Sequence, residues 1–129
     1  MFPLKAGKIL LTALDNPSDG DPSLDVRAAF WLYRPEADDW RLYLASPVVD
    51  TAGPLEAYKR IQTALVRINQ PDDDPWNELN LNNISVISPQ HKLVRALRKI
   101  AGPGAQDMRV RGGSVDDISL DEVYVYRMI

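Results

Sequence analysis

One stretch of the chain, Val26–Val48, restricts the possible folds more than any other. Two runs rich in aromatic and large apolar residues flank a short polar link, Pro35–Asp39. This pattern predicts a β-hairpin. Side chains alternate between the two faces of a strand, so the period assigns each hairpin residue to one face. The predicted hydrocarbon face consists of Val26, Ala28, Phe30, Leu32, Leu42 and Leu44.

The other apolar patterns predict helices and strands on both sides of this hairpin. Helices are expected at Leu4–Leu14, from Gly53-Pro54 to about Ile68, and from Ser88-Pro89 to about Ala101. The first of these segments contains a short apolar run that also fits a strand. Further strands are expected within Leu81–Ser88, Met108–Arg111 and Glu122–Ile129.

The resulting order of elements is α-β-β-α-β-α-β-β, which predicts an α+β fold. Right-handed crossovers would place the helices of both strand–helix–strand passages on the same face of the sheet. The expected architecture is a two-layer sandwich, with a mixed β-sheet of about five strands and helices on one face. The predicted core of the sheet consists of Phe30, Leu32, Leu42, Leu44, Ile84, Val86, Val123 and Val125.

Composition limits the class of protein. A chain of 129 residues fits a single globular domain spanning residues 1–129. The net charge of −3 argues against bulk binding to nucleic acid or to an anionic membrane. The chain contains no cysteine, which excludes disulfides and thiolate metal sites and fits a reducing compartment. The apolar run Ile9–Leu14 is too short for a signal peptide or a membrane span, so we expect a cytoplasmic protein.

The second face of the hairpin carries rings and guanidinium groups, and the period of the later strands extends this face across the sheet. Its candidate binding residues are Arg27, Trp31, Tyr33, Arg41, Tyr43, Arg109, Arg111, Tyr124 and Tyr126. Three interpretations are open. The N-terminal helix or a loop covers part of the face, so that the tyrosines belong to the core. Alternatively, the face contacts a second copy or a protein partner, or it stacks the bases of a single-stranded nucleic acid.

The distribution of charge favours a protein partner over nucleic acid. Acidic residues lie mostly in the predicted links, whereas basic residues lie mostly on strands and helices. An acidic rim would repel a polyanion and favour a shaped protein partner. We therefore interpret the chain as a non-enzymatic interaction module that forms a dimer or docks a protein, with no cofactor. Binding of single-stranded nucleic acid on the same face is the alternative hypothesis.

A small enzyme built around His91 or the carboxylates of Asp116–Glu122 is the third hypothesis. His91 is the only histidine, and no partnered serine is indicated by its spacing. The acidic cluster offers oxygen ligands for Mg²⁺ or Ca²⁺, but its spacing matches no EF-hand loop. The sequence has no nucleophile elbow, phosphate-binding loop or dinucleotide fingerprint. An enzyme is therefore the less favoured interpretation, and we assign no catalytic residue and no metal site.

Overall fold

A five-stranded sheet flanked by helices forms the described part of the chain. The structure, a computed structural model, describes residues 3–16, 24–68, 79, 81–111, 113–115 and 118–129. The helices are α1 (Leu4–Asp15), α2 (Val48–Thr51), α3 (Pro54–Arg67) and α4 (Lys92–Ala101), with a 3₁₀ turn at Leu81–Asn83. The strands are β1 (Ala28–Arg34), β2 (Asp39–Ala45), β3 (Ile84–Ile87), β4 (Gln106–Arg111), β5 (Ser114–Val115), β6 (Ile118–Ser119) and β7 (Glu122–Met128).

Local chemistry sets the boundaries of the longer helices. Proline stands in the first turn of α3, where the missing N–H is no loss, and follows Gly53 with a φ of 90°. Gly102, with a φ of 86°, ends α4. The start of α4 lies three residues later than the expected Ser88 cap. His91 caps the helix instead, because its Nδ1 accepts a hydrogen bond of 3.0 Å from the N–H of Leu93.

The sheet has the strand order β3-β2-β1-β7-β4. Only the β2–β3 pair is parallel, and the other three pairs are antiparallel. The predicted α+β class, the mixed sheet and the order of the main elements are therefore confirmed. The short helix α2 and the separate β5–β6 ribbon are additions that no sequence pattern indicated.

Apolar cores lie on both faces of the sheet. On the α1/α3 face, helices α1 and α3 pack against alternate strand residues: Ala29, Trp31, Leu42, Leu44, Ile84 and Val86. On the α4 face, helix α4 packs against the residues between them: Ala28, Phe30, Ala45, Val123, Val125 and Met128. The helices thus occupy both faces of the sheet, whereas the sequence pattern predicted them on one.

The direction of the strands explains why α4 lies on the second face. The right-handed crossover rule applies to two parallel strands joined by a helix. Strands β2 and β3 meet that condition, and α3 joins them. Strands β3 and β4 stand at opposite edges of the sheet and run antiparallel, so the rule sets no side for α4.

The register of the hairpin corrects the predicted faces. Arg34 pairs with Asp39 across the link, so Trp31 stands opposite Leu42 and Phe30 opposite Tyr43. Even-numbered residues of β1 therefore share a face with odd-numbered residues of β2. The prediction that Leu42 shares a face with Phe30 is wrong, because a change of one residue in the link moves a whole strand to the other face.

Candidate functional site

The nine predicted binding residues do not form one surface. Trp31, Tyr124 and Tyr126 pack on the α1/α3 face. Tyr43 lies on the α4 face, where it packs against that core. Arg41, two residues away on β2, lies on the same face. The assumed single face of rings and guanidinium groups is therefore divided between the two sides of the sheet.

Trp31 and Tyr126 lie beneath α1. The side chain of Trp31 is fully buried and Tyr126 is 5% exposed. The indole Nε1 of Trp31 donates to the Tyr126 hydroxyl at 2.8 Å, and that hydroxyl donates to the carbonyl of Leu4 at 2.7 Å. The burial of these two residues agrees with the first of the three interpretations, in which the N-terminal helix covers part of the face. A partner reaches them only if α1 is displaced.

A bulge in β7 places Arg127 on the same face of the sheet as Tyr126. The pairing of β1 with β7 shifts between Ala29 and Phe30, which leaves Tyr126 as an extra residue between Val125 and Arg127. Consequently Tyr126 and Arg127 both reach α1, where Arg127 forms an ion pair with Asp15. Burial is the main cause that raises the pKa of the Tyr126 hydroxyl.

Tyr124 and Tyr33 lie at the rim of the same face. The Tyr124 ring meets Tyr126 edge-on at a centroid distance of 5.3 Å, and its hydroxyl donates to Asp107 at 3.3 Å. Burial, followed by the nearby Asp107 carboxylate, raises the pKa of Tyr124. The Tyr33 hydroxyl donates to Asp38 at 2.5 Å. Both hydroxyls are therefore bound within the chain.

The predicted arginines lie near internal partners. Arg27 forms a two-pronged ion pair with Asp25, at 3.0 Å for each contact. Arg41 donates to the Ser85 hydroxyl at 2.5 Å and to the Asn82 carbonyl at 3.1 Å. Arg111 forms an ion pair with Glu122 of β7, with 3.2 Å between Nε and Oε1.

The fourth predicted arginine, Arg109, is exposed on β4 and stands opposite Tyr124. Its positive charge lowers the pKa of the Tyr124 hydroxyl, although burial has the larger, opposite effect. Arg109 and Arg111 therefore present their charges at the β4 edge of the sheet.

An apolar area remains beside α4 on the hairpin side of the sheet. We call it the hairpin patch and define it as Leu32, Arg41, Tyr43 and Ile87, all partly exposed. The Tyr43 ring stacks on Phe30 at a centroid distance of 5.4 Å, which fixes its orientation. A recess of about 270 Å³ adjoins the patch and is lined by Leu32, Tyr33, Arg34, Pro35, Glu36, Tyr43 and Asp121.

An ion pair involving one lining residue of the recess, Arg34, lies at the end of the hairpin. Arg34 donates to both carboxylate oxygens of Asp39, at 2.8 and 2.6 Å. These hydrogen bonds lower the pKa of Asp39, so this carboxylate stays ionised. The lining of the recess combines charged and apolar side chains, as protein interfaces do.

A second, wider groove runs between α1 and α3. It has a volume of about 390 Å³ and is lined by Lys8, Ile9, Thr12, Ala13, Asn16, Arg67 and Ile68. Arg67 spans it by donating to the Ala13 carbonyl at 2.9 Å. This contact joins the two helices and gives the groove a structural role.

Among the described residues, the structure does not bring together a set of side chains that supports the enzymatic hypothesis. His91 is exposed, and its Nδ1 already accepts the N–H of Leu93. Asp116 and Asp117 lie outside the described residues, while Asp121 lines the recess and Glu122 pairs with Arg111. Among the residues that the structure describes, no group of three or more histidine or carboxylate side chains could bind a metal ion.

Comparisons give no functional assignment. No protein family, curated protein or solved structure matched this chain. None of the described helices is long and apolar enough to cross a membrane.

Proposed function

We propose that this protein is a non-enzymatic interaction module that docks a protein chain, another or a second copy of itself, through the hairpin patch. The observation that carries the proposal is the unequal covering of the α4 face. Phe30 and Val125 beneath α4 are fully buried, whereas Leu32, Tyr43 and Ile87 stay partly exposed.

The dimensions of the layers explain this difference. Five strands extend over roughly 20 Å at about 4.8 Å between neighbours. A helix of 10 residues is about 15 Å long and about 10 Å wide. Helix α4 therefore covers only part of the face, and two helices cover the opposite one. Tyrosine and arginine beside aliphatic side chains are typical of the centre of protein interfaces.

The state of the arginines favours a protein partner over single-stranded nucleic acid. A nucleic-acid site needs cations that bind phosphates. In the patch, Arg41 instead donates to Ser85 and to backbone carbonyls. Arg34 beside it is paired with Asp39. The lack of cysteine fits a reducing, cytoplasmic setting for this proposed role.

Site-specific photocrosslinking tests the proposal. A photoreactive phenylalanine analogue replaces Tyr43 in one protein and Tyr124, on the opposite face, in the control. We expect a defined protein adduct, with a second copy or with another chain, from position 43 and not from position 124. The substitution Leu32→Lys should abolish that adduct, because it places a charge in the patch. Equal crosslinking from both positions, or none from position 43, would contradict the proposal.

A further inference from the structure

The two edges of the sheet differ in whether their outward-facing N–H and C=O groups already form hydrogen bonds. Strands β3 and β4 are the edges of the five-stranded sheet. An edge strand carries a row of N–H and C=O groups that face away from its neighbour, and such a row can pair with another chain. The contacts along each edge therefore indicate whether it can accept a further strand.

The β3 edge is closed by side chains of the protein itself. The N–H of Val86 donates to the Tyr58 hydroxyl of α3 at 3.1 Å. The guanidinium of Arg41 reaches the carbonyls of Asn82 at 3.1 Å and Ile84 at 3.5 Å. These contacts occupy groups that an added strand would need.

Within the part of the chain that the structure describes, the β4 edge carries no comparable cover. One side of this six-residue strand pairs with β7, and no other strand in the described ranges pairs with its outer side. Five of its six side chains are exposed, and Val110 is half-buried. Met108 is 39% exposed and lies on the same strand as the half-buried Val110.

The side chains of β4 alternate in character. Arg109 and Arg111 stand opposite Tyr124 and Glu122, whereas Met108 and Val110 stand opposite Val125 and Val123 on the α4 face. Two exposed arginines therefore lie on one side of the edge and two apolar residues on the other.

Asp107 separates this segment from the start of β4. Its φ is 48°, in the left-handed region, and it is missing from the ladder with β7. Its carboxylate accepts hydrogen bonds from Lys8 at 3.1 Å and from Tyr124. Residues 108–111 are consequently the regular part of the edge.

Charge decides between a second copy and a different chain at this edge. Two copies pairing antiparallel through residues 108–111 would set Arg109 opposite Arg109, or Arg109 opposite Arg111. Like charges directly opposite each other are destabilising. An added strand with a carboxylate opposite Arg109 would instead form a cross-strand ion pair, and a carboxylate opposite Arg111 would share that guanidinium with Glu122. The alternate apolar residues of the added strand would contact Met108 and Val110.

We infer that β4 accepts an extended acidic segment of a partner protein, with acidic and apolar residues alternating, as a sixth strand of the sheet. This site is separate from the hairpin patch, since it lies at the opposite edge of the sheet from β3. Backbone hydrogen bonds would supply affinity, and the arginines would supply selectivity.

Fluorescence anisotropy with a labelled peptide of alternating Glu and Val tests this inference. Arg109→Glu should weaken binding roughly fivefold or more, because one cross-strand pair is replaced by repulsion. A peptide of alternating Lys and Val should then bind the variant better than the original protein. Arg95→Glu is the matched control, since it changes the charge equally at an exposed position of α4.

Two further arms separate strand addition from simple attraction of charge. A Glu–Val peptide with methylated backbone nitrogens at alternate residues should not bind, and amides within residues 108–111 should gain protection from hydrogen exchange with the unmodified peptide. Tyr43→Ala should leave peptide binding unchanged, so failure here is distinct from failure of the hairpin patch. Equal binding of the methylated peptide, an equal effect of Arg95→Glu, or no binding at millimolar peptide would overturn the inference.

Discussion

The hydroxyl of Tyr126 connects three parts of the molecule with one atom. It accepts a hydrogen bond from Trp31 in β1 and donates one to Leu4 in α1. Gly7 makes this contact possible, because a Cβ at that position would lie 2.3 Å from the Tyr126 oxygen and 3.1 Å from Trp31 Nε1. The glycine in α1 is thus explained by a close approach to the sheet and not by its helix propensity.

We expect Gly7→Ala to lower the free energy of unfolding by about 1–3 kcal/mol, since the added methyl forces the buried hydroxyl to move. Urea denaturation measures this change. Tyr126→Phe should also destabilise, because Trp31 loses its acceptor. Combined with Gly7→Ala, it should cost less than the sum, since the closest clash is removed. Additive effects would contradict the proposed contact.

The sequence could identify Trp31, Tyr124 and Tyr126 as residues of one face, but it could not show what covers them. Periodicity selected Trp31, Tyr124 and Tyr126 as members of one face, and the structure places all three in the same core. Periodicity carries no information about which element covers a face. That depends on contacts between α1 and the last strand, whose hydrogen-bonding residues are 122 positions apart.

At the scale of elements, the link of the hairpin determines which apolar residues share a core. The four residues between Arg34 and Asp39 place Leu44 on the α1/α3 face and Leu32 on the α4 face. The sequence predicted both strands and their approximate limits. It did not predict the register, because the number of residues in the turn depends on where the pairing stops.

A pair of aspartate substitutions tests this register. Leu44 is fully buried, and Leu44→Asp should abolish cooperative thermal unfolding, because a buried, unpaired carboxylate costs several kcal/mol. Leu32→Asp should keep a cooperative transition, since the side chain borders the recess beside α4. Circular dichroism during heating measures both. If the two variants behaved alike, the single hydrocarbon face assumed from the sequence would be the better description.

For the whole molecule, the buried Tyr126 predicts a loss of stability in alkaline solution. Burial raises the pKa of Tyr126 above its ordinary value of 10.0. Tyrosine in the unfolded chain ionises near that value, so the unfolded state loses its proton first as the pH rises. The stabilisation that Tyr126 contributes to the folded state is therefore complete below a pH of about 10 and declines above it.

Urea denaturation over a pH range of about 8 to 12 measures this decline. Tyr126→Phe should reduce the slope of the free energy of unfolding against pH above about 10, because the group responsible for the proton difference is gone. Tyr33→Phe serves as the comparison and should reduce the slope less, since its pKa is also raised, chiefly by its hydrogen bond to Asp38, but this tyrosine lies at the rim. An unchanged slope in Tyr126→Phe would mean that other groups cause the loss of stability at alkaline pH.

The attachment of α1 to β7 has a consequence for synthesis on the ribosome. Helix α1 is translated well before its anchors, because Tyr126 follows Leu4 by 122 positions and Arg127 follows Asp15 by 112. The native cover of Leu10, Leu11 and Leu14 is therefore complete only after β7 has been translated. We expect the nascent chain to depend until then on chaperones that shield exposed apolar segments.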